Sequence, residues 1–404
     1  MEYIERAEYL DWLKSWREQQ IIKVVSGVRR CGKSTLFELY RGWLLQNGVA
    51  EEQIIAVNFE DVDYEHLGDY RSLYDYIKAR LLQDKMNYIF LDEIQHVAHF
   101  EKAVDSLFIK KNCDVYLTGS TARFMSGELA TLLSGRYVEL KMLPLSFREF
   151  CSGLTGKELS KAEKFDAYLQ GSSFPYTLRL PERGPEVRQY LTDLYNTVLL
   201  KDVVTRLRIS DVISLEQVAK FLLHNIGSRV SPGKIANTLK SAGKGADQKT
   251  VDKYIKGLTD SLLLYEASRY NIKGRQYLAT QCKYYAVDVT LRNLLVKGSD
   301  SDIGHILENV VYLELLRRGY RVFVGDIEDG EVDFVAETGD GPIYLQVAAT
   351  TLDEDVLRRE LAPLQKIPDN YPKLLLTLDD VFAAADYSGI RKCNVLDWLL
   401  ATNG

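Results

Sequence analysis

The sequence contains few cysteines and histidines and no long uninterrupted apolar run. Its five cysteines, at positions 31, 113, 151, 282 and 393, are scattered, odd in number and without C-x-x-C spacing. They argue against a disulfide framework or a zinc site. No run of about 18 apolar residues is available to span a membrane, and residues 1–20 are charged and amphipathic rather than signal-like. We therefore expect a cytoplasmic protein that makes no membrane contact.

Acidic residues outnumber basic ones, 57 to 51, which gives a formal net charge of −6 at pH 7. This balance argues against nonspecific coating of nucleic acid by the whole chain, but it leaves room for a local basic face. The 404 residues suffice for two to four domains. A composition of 46% hydrophobic and 27% charged residues is ordinary for a soluble protein.

Residues 27–34, with the sequence GVRRCGKS, match the phosphate-binding pattern G-x-x-x-x-G-K-[ST] at every fixed position. The β-branched run 21–25 before them is typical of a buried strand, and residues 33–40 have helical spacing. The two glycines would let backbone N–H groups converge on phosphates. We expect Lys33 to contact the β- and γ-phosphates of ATP and the Ser34 hydroxyl to bind Mg²⁺. The predicted nucleotide-binding residues are Gly27, Arg30, Cys31, Gly32, Lys33, Ser34 and Thr35.

A second apolar strand, at residues 87–91, ends in two adjacent acids, Asp92 and Glu93. Consecutive side chains of a strand point to opposite faces, so the two acids can take different tasks. We expect Asp92 to hold Mg²⁺ through water. Glu93 is the predicted catalytic residue that orients or deprotonates the attacking water beside the γ-phosphate.

Polar residues also mark the next two strands. Thr118 and Ser120 close the third strand, where either could sense the γ-phosphate or hold the water. Arg136 begins a further strand and is a candidate arginine finger for a neighbouring subunit, which would require self-association. Pairing of Arg136 with a surface carboxylate is an equal alternative.

Apolar strands and helices alternate through the first 143 residues, which predicts an α/β fold with a parallel sheet and helices on both faces. The alternation stops at Pro144. Residues 144–210 are helical in character and include an amphipathic stretch at 186–207. We therefore predict a P-loop ATPase core at 1–143 and a helical lid over the nucleotide at 144–210.

Residues 211–290 have the pattern of a winged helix, with helices near 231–239 and 249–258 and a hairpin around 271–275. Thr250 is the predicted N-cap of the second helix. Five basic residues are candidates for contact with DNA phosphates: Lys249, Lys253, Lys256, Lys273 and Arg275. Winged helices also bind proteins, so a protein partner is the alternative.

Residues 291–404 form the last predicted domain, a helix followed by three strands. Glu308 on the helix and Asp333 on the second strand could supply two carboxylates to a divalent cation. A metal-dependent nuclease also needs a third carboxylate and a lysine. The third strand carries Gln346 and Ala348 at those two positions.

Several motifs together resemble one family, the prokaryotic AAA-type ATPases that carry a C-terminal domain of unknown function numbered 4143. The matching segments are 27–35, 89–95, 117–120, 144–150, 200–202, 307–312 and 331–334. The resemblance implies an extended-AAA core, a winged helix and an α/β terminal domain like the PD-(D/E)xK restriction-endonuclease fold. This chain has Gln346-Val347-Ala348 where that fold would place E-x-K. We therefore expect no nuclease activity, and a terminal domain that serves binding or assembly.

The leading functional hypothesis is a Mg²⁺-dependent ATPase that couples its nucleotide state to DNA binding or remodelling. The alternative, favoured by the acidic balance, is a nucleotide-gated protein-interaction switch without nucleic-acid contact. A third hypothesis, a scaffold that binds ATP without hydrolysing it, requires Glu93 to be idle.

Overall fold

The computed structural model describes residues 4–119, 132–133, 135–154, 158–180, 184–241, 243, 246–296, 303–328 and 330–402. The chain divides into two compact units, Met1–Pro144 and Leu145–Gly404. The predicted end of the ATPase core, residue 143, lies one residue before this division. The predicted lid, winged helix and terminal domain belong to the second unit from Leu145 onward.

The first unit contains a five-stranded parallel sheet in the order β2-β3-β4-β1-β5. Its strands are β1 Ile22–Gly27, β2 Ile54–Asn58, β3 Asn87–Asp92, β4 Cys113–Gly119 and β5 Tyr137–Met142. Its helices in the described part of the chain are α1 Ala7–Ser15, α2 Lys33–Gln46, α3 Tyr70–Lys78 and α4 Phe100–Phe108. Because every pairing is parallel, the carboxyl ends of all five strands lie at one edge. The predicted α/β fold of a P-loop NTPase is confirmed.

The two strands that lead into the predicted site are buried along their whole length. Such strands are apolar because a parallel sheet is covered on both faces. Lys23 on β1 is one of the exceptions, and it is fully buried. Its ammonium donates to the Gln19 carbonyl at 2.7 Å and to the Asp114 carboxylate. Asp114 also accepts from the Tyr116 hydroxyl at 2.7 Å, so the buried charge is compensated within the sheet.

Helix α2 packs against the sheet through aromatic rings. Phe37 meets Phe90 edge to face at 5.2 Å, and Phe90 stacks on Tyr116 at 4.8 Å between ring centroids. The hydroxyl of Tyr40 lies 3.1 Å from that of Tyr116. Aromatic pairs of this kind stabilise a particular geometry as well as burying area. They fix α2 on the sheet, and α2 begins at the end of the phosphate loop.

The second unit begins with helices. In the described part of the second unit the helices are α5 Phe147–Ser152, α6 Lys161–Gly171, α7 Pro185–Thr197, α8 Thr205–Leu207, α9 Val212–His224, α10 Pro232–Ser241, α11 Gln248–Asp260, α12 Val289–Leu295, α13 Ile303–Arg317, α14 Glu354–Gln365 and α15 Val395–Leu400. The segment Val198–Val204 between α7 and α8 is π-helical, so the predicted amphipathic stretch is one nearly continuous helical run. Among the described residues, no helix combines the length and apolar character needed to cross a bilayer.

A glycine lets α11 pack closely against this helical run. A Cβ on Gly257 would lie 2.7 Å from Leu207 Cδ1 and 2.8 Å from Val203 Cγ1. Real Cβ atoms essentially never make contacts that short, so a larger residue at position 257 would require Leu207 and Val203 to shift. The predicted lid and the predicted winged helix are therefore packed together.

The second unit also contains an eight-stranded sheet in the order β12-β13-β11-β10-β9-β8-β6-β7. Its strands are β6 Leu264–Asn271, β7 Gln276–Ala286, β8 Arg321–Ile327, β9 Gly330–Thr338, β10 Gly341–Ala348, β11 Lys373–Thr377, β12 Ala385–Tyr387 and β13 Ile390–Asn394. The hairpin β6–β7 joins this sheet because β6 pairs in parallel with β8, with Arg269 opposite Val324. The predicted wing is thus part of the terminal sheet, and the boundary predicted at residue 290 falls within one sheet, with β6 and β7 before it and β8 to β13 after it. Pairing with β8 supplies hydrogen-bond partners to backbone N–H and C=O groups of β6 that would stay unpaired at the edge of a free hairpin.

The start of α11 also differs from expectation. The N-cap is Asp247, whose carboxylate accepts a hydrogen bond from the Thr250 backbone N–H at 2.7 Å. Thr250 lies inside the helix, so its prediction as the N-cap was wrong. A carboxylate at the N-cap also interacts favourably with the positive end of the helix.

Candidate nucleotide site

The phosphate loop connects the end of β1 to the start of α2. Its two glycines occupy positions where a side chain would clash or strain the backbone. A Cβ on Gly27 would lie 2.4 Å from the Met142 carbonyl oxygen and 2.9 Å from the Cys31 sulfur. Gly32 has a φ of 105°, in the left-handed region that glycine adopts without strain. Both fixed glycines of the sequence pattern are therefore required by the backbone of the loop.

Lys33 is held within the loop. Its ammonium donates to the carbonyls of Gly27 at 3.2 Å and Val28 at 3.4 Å. It also lies 3.5 Å from the Glu93 carboxylate, and the lysine is only 4% exposed. A fixed ammonium at the positive end of α2 is an arrangement that binds a phosphate anion.

The other predicted loop residues differ in exposure. Cys31 is fully buried, and burial raises the pKa of its thiol, so it packs rather than reacts. Arg30 is exposed and has a φ of 65°. Ser34 is exposed and Thr35 half-buried in the first turn of α2. Direct contact of these residues with nucleotide stays a prediction.

Asp92 lies at the end of β3, beside the first turn of α2. It accepts hydrogen bonds from the hydroxyls of Ser34 and Thr118. Burial raises the pKa of Asp92, and these two hydrogen bonds oppose that shift. Mg²⁺ is commonly bound through one or two protein oxygens together with substrate phosphates. The adjacent oxygens of Ser34 and Asp92 fit that requirement.

Glu93 leaves the strand in an unusual backbone conformation, with φ 55° and ψ 45°. Its backbone N–H donates to the Thr118 hydroxyl at 2.9 Å, and the Gln95 side-chain amide donates to its carboxylate. Left-handed conformations of non-glycine residues are strained and concentrate at functional sites. Here the turn places the Glu93 carboxylate beside Lys33. The two carboxylates have different partners, the hydroxyls of Ser34 and Thr118 for Asp92 and the Lys33 ammonium for Glu93.

One predicted catalytic residue, Arg136, is not brought to this group. The Arg136 carbonyl accepts a hydrogen bond from Ile22, the first residue of β1, at 3.0 Å. Arg136 therefore lies at the edge of the sheet opposite the phosphate loop. Its guanidinium lies 3.5 Å from the Asp105 carboxylate and over the Phe108 ring, so the predicted surface pairing is present. Ser120 lies outside the described residues.

Three side chains make contacts in the site that the sequence analysis did not predict. Thr118 bridges the two acids instead of pointing only toward a phosphate. Gln95 holds the Glu93 carboxylate, and it belongs to the segment 89–95 that carried the family resemblance, so a signal existed. Arg6 is 3% exposed and donates to the Cys31 carbonyl at 3.0 Å. Nothing in the local sequence around Arg6 indicates that contact.

The basic residues predicted to contact DNA lie on α11 and on the β6–β7 turn. Lys249, Lys253 and Lys256 are all exposed. Lys256 is 73% exposed and lies 3.9 Å from the Asp260 carboxylate. Lys273 is 77% exposed and pairs with Glu328 at 3.1 Å, and Arg275 is exposed as well.

The acids of the terminal domain surround a lysine that the sequence analysis did not single out. The Lys283 ammonium, on β7, lies 2.8 Å from Glu308 and 2.6 Å from Glu331. Its distance to Asp333 is 3.8 Å, and Glu308 also accepts from the Tyr285 hydroxyl at 2.6 Å. Burial raises the pKa of Asp333, with the Glu308 charge adding to that shift. Burial opposes the charge of Lys283, but the three carboxylates raise the pKa of this lysine above its ordinary value. Within the described ranges, no group of three or more His, Cys, Asp or Glu side chains is arranged to hold a metal ion.

The parallel sheet, the glycine loop on the N-terminus of α2 and the two acids at the end of β3 give the first unit an AAA-like P-loop NTPase fold. Residues 19–151 match the model of an AAA domain. Residues 162–302 match a domain of unknown function numbered 8612, whereas the sequence resemblance had named domain 4143.

Two relatives match most of the chain. An uncharacterized protein of Haemophilus influenzae is 38% identical over 407 residues, which are 98% of this chain and 98% of the relative. This chain belongs to the same family as that protein. An uncharacterized protein of Methanocaldococcus jannaschii is 28% identical over 85% of this chain and 78% of its own. A Walker-type ATPase of Pyrococcus abyssi has a similar fold, with a TM-score of 0.50 at 15% identity over 72% of this chain and 95% of that one.

Proposed function

We propose that this protein binds ATP with Mg²⁺ and hydrolyses it. The observation that carries this proposal is the convergence of a phosphate-loop lysine and the acid that follows β3, with Lys33 and Glu93 3.5 Å apart. The Ser34–Asp92 hydrogen bond lies beside them. The match of residues 19–151 to the model of an AAA domain supports the same conclusion.

Each residue has a distinct task in this proposal. Lys33 and the N–H groups of the loop hold the phosphates in place, and Ser34 with Asp92 holds Mg²⁺, which neutralises phosphate charge when bound. Glu93 takes a proton from the attacking water. Its hydrogen bond from Gln95 orients the carboxylate for that step.

We propose further that the second unit couples the nucleotide state to DNA. Lys249, Lys253 and Lys256 follow one another at intervals of four and three residues on α11, which places them on one helix face. All three are exposed. A row of ammonium groups on one face suits a row of phosphates. Lys273 and Arg275, on the β6–β7 turn, are two further basic residues proposed to contact DNA phosphates.

The alternative is a nucleotide-gated protein-interaction switch without nucleic-acid contact. It is favoured by the acids that lie next to the basic residues, Asp260 beside Lys256 and Glu328 beside Lys273. These carboxylates lower the net positive charge offered to a phosphate backbone. The net charge of the whole chain, −6, acts in the same direction.

We propose that Arg136 serves a neighbouring subunit if subunits associate. Its position at the edge opposite the phosphate loop keeps it from its own nucleotide. The six residues of β1 separate the two ends of the sheet, by roughly 17 Å at the usual rise of a strand. Its pairing with Asp105 would have to open for that role.

We propose no nuclease activity for the terminal domain. The Lys283 ammonium already balances the carboxylates that a divalent cation would need. In addition, Gln346 has an amide where a metal would need a carboxylate, and this amide donates a hydrogen bond to Glu360 at 2.9 Å. We expect no Mg²⁺- or Mn²⁺-dependent cleavage of plasmid or branched DNA, and cleavage that disappears in Asp333→Ala would contradict this assignment.

ATP turnover by the purified protein tests the proposal. Turnover is measured with Mg²⁺ for the parent and for Lys33→Ala, without DNA and with single-stranded, duplex or branched DNA. We expect turnover that Lys33→Ala abolishes and that one DNA form stimulates. Turnover that is indifferent to all three DNA forms would favour the protein-interaction switch, and turnover that survives Lys33→Ala would contradict the assigned site.

A further inference from the structure

Arg6 lies just before α1 and is buried in the first unit, with 3% of its surface exposed. Its guanidinium donates from Nη1 to the Cys31 carbonyl at 3.0 Å. From Nη2 it donates to the Leu143 carbonyl at 2.8 Å and to the Pro144 carbonyl at 3.4 Å. The guanidinium carbon also lies 4.8 Å from the centre of the Tyr9 ring. One side chain thus contacts two distant parts of the chain.

The first contact acts on the phosphate loop. In a trans peptide the carbonyl of one residue and the N–H of the next point in opposite directions. When Arg6 holds the Cys31 carbonyl on one side, the Gly32 N–H is fixed on the other. Gly32 is the N-cap of α2, so this N–H belongs to the set that binds phosphate at the helix N-terminus.

The second contact acts at the end of the first unit. Pro144 is its last residue, and Leu145 opens the second unit. The Leu143 backbone N–H donates to the Tyr9 hydroxyl at 3.1 Å, so Tyr9 and Arg6 together hold this segment. The Leu145 N–H donates to the Ser173 carbonyl at 2.8 Å within the second unit. Residues 143 and 144 are therefore one peptide bond away from a residue that is hydrogen-bonded within the second unit.

We propose that Arg6 is a positioning residue that couples nucleotide binding in the phosphate loop to the peptide segment joining the two units. This inference rests on the proposed function, since it requires ATP in the loop. Movement of the Cys31–Gly32 peptide on nucleotide binding changes the hydrogen bonds that the same guanidinium makes to Leu143 and Pro144. Arginine suits this task because its planar fork donates in several fixed directions at once, which a lysine ammonium on a flexible stem does not reproduce.

Amide hydrogen exchange of the full-length protein tests the coupling. Exchange in residues 143–147 is measured with and without a saturating, nonhydrolysable ATP analogue and Mg²⁺, in the parent and in Arg6→Gln and Arg6→Lys. Arg80→Gln is the matched control, because Arg80 donates to the Tyr76 carbonyl at 3.0 Å and stacks on the Tyr76 ring but does not contact the loop. Arg6→Lys keeps the positive charge and so provides a second test if Arg6→Gln does not fold.

We expect the analogue to slow exchange at residues 143–147 several-fold in the parent and in Arg80→Gln. In the Arg6 variants we expect less than a twofold effect at saturation, together with an affinity for the analogue that is weaker by about tenfold. A merely structural role would lower stability without removing the response to nucleotide.

Two results would overturn the coupling: a response in an Arg6 variant as large as in the parent, or no response in a parent that binds the analogue. Failure of the proposed function looks different. In that case the parent does not bind the analogue at all, and its behaviour matches that of Lys33→Ala.

Discussion

The Thr118 hydroxyl donates a hydrogen bond to the Asp92 carboxylate on the neighbouring strand. The same oxygen accepts the Glu93 backbone N–H at 2.9 Å. One buried hydroxyl therefore fixes the acid assigned to Mg²⁺ and the peptide that carries the assigned base. It links β4, which lies between β1 and β3, to both acids of the site.

Replacing Thr118 by valine keeps the side-chain shape and removes both hydrogen bonds. Loss of a group that orients a metal ligand typically lowers metal affinity or activity by about 10- to 100-fold. We expect Thr118→Val to reduce turnover within that range and to raise the Mg²⁺ concentration needed for half-maximal rate. Steady-state turnover over a Mg²⁺ titration measures both, and parental values for both would contradict the assigned role of Thr118.

The chain offers a matched control for that substitution. Thr377, in the second unit, is fully buried, and its hydroxyl has no hydrogen-bond partner among the described residues. A buried hydroxyl without a partner carries a desolvation cost, so a methyl group of the same shape is tolerated or preferred. We expect Thr377→Val to leave turnover unchanged and to raise the free energy of unfolding by up to about 1 kcal/mol. Urea unfolding measures it, and marked destabilisation would indicate that the hydroxyl is used.

The buried ion pair between Lys23 and Asp114 tests how the sheet of the first unit is stabilised. Removing one member of a buried ion pair leaves the other charge uncompensated and costs about 3–5 kcal/mol. We expect Lys23→Met to destabilise the protein by that amount, because Asp114 is then buried without its ammonium partner. The double variant Lys23→Met with Asp114→Leu should recover much of the loss. Equal destabilisation of the single and double variants in urea unfolding would contradict this explanation.

The second unit has a pH-dependent contribution from Asp379. Burial opposes its ionisation, but hydrogen bonds from Lys392, Thr350 and Thr351 lower the pKa of Asp379 to about 2. A carboxyl whose pKa is depressed on folding stabilises the fold above its unfolded pKa, about 3.9. That contribution disappears as the pH falls through about 2.

We therefore expect the free energy of unfolding to fall between about pH 4 and pH 2, and Asp379→Asn to flatten that part of the curve. The carboxylate of Asp355, on α14, is 88% exposed, so Asp355→Asn is the matched control and should leave the slope unchanged. The same slope in Asp379→Asn as in the parent would show that Asp379 does not carry the effect.

The DNA hypothesis makes a quantitative prediction about salt. Each phosphate neutralised adds about −0.9 to the slope of log affinity against log salt concentration. We expect the combined change of Lys249, Lys253 and Lys256 to glutamate to remove DNA binding at moderate salt.

A control with the same change of charge uses three exposed lysines of the first unit, Lys78, Lys85 and Lys102. Reversing those charges should weaken binding much less. Equal losses in the two triple variants, measured by fluorescence anisotropy over a salt titration, would point to a nonspecific effect of net charge.

The sequence predicted the parts of the site whose geometry is local. Residues 27–34 encode their own loop, since two glycines and the following helix determine its backbone. Asp92 and Glu93 were recognisable because an apolar strand ended in them. Thr118 was noticed as a strand-end hydroxyl, but its bond to Asp92 depends on the neighbouring position of β3 and β4 in the sheet.

Contacts between distant segments were not predictable in the same way. Lys283 reaches Glu308 and Asp333 because β6 pairs with β8, a pairing that no local periodicity encodes. The same pairing converts the predicted wing into part of the terminal sheet. Arg6 is separated from Cys31 by a helix and a strand, so only the folded first unit reveals that they meet.

Glu93→Gln gives the most direct test of the assigned catalytic site. The amide keeps the shape of the side chain but cannot accept a proton from water, and a general base typically contributes about 10²- to 10⁴-fold to the rate. We predict that Glu93→Gln binds ATP with Mg²⁺ about as tightly as the parent does and hydrolyses it at least 100-fold more slowly, about the lower limit of that range, so that labelled ATP stays bound and uncleaved. Hydrolysis by Glu93→Gln at the parental rate would contradict the assignment of Glu93 as the base.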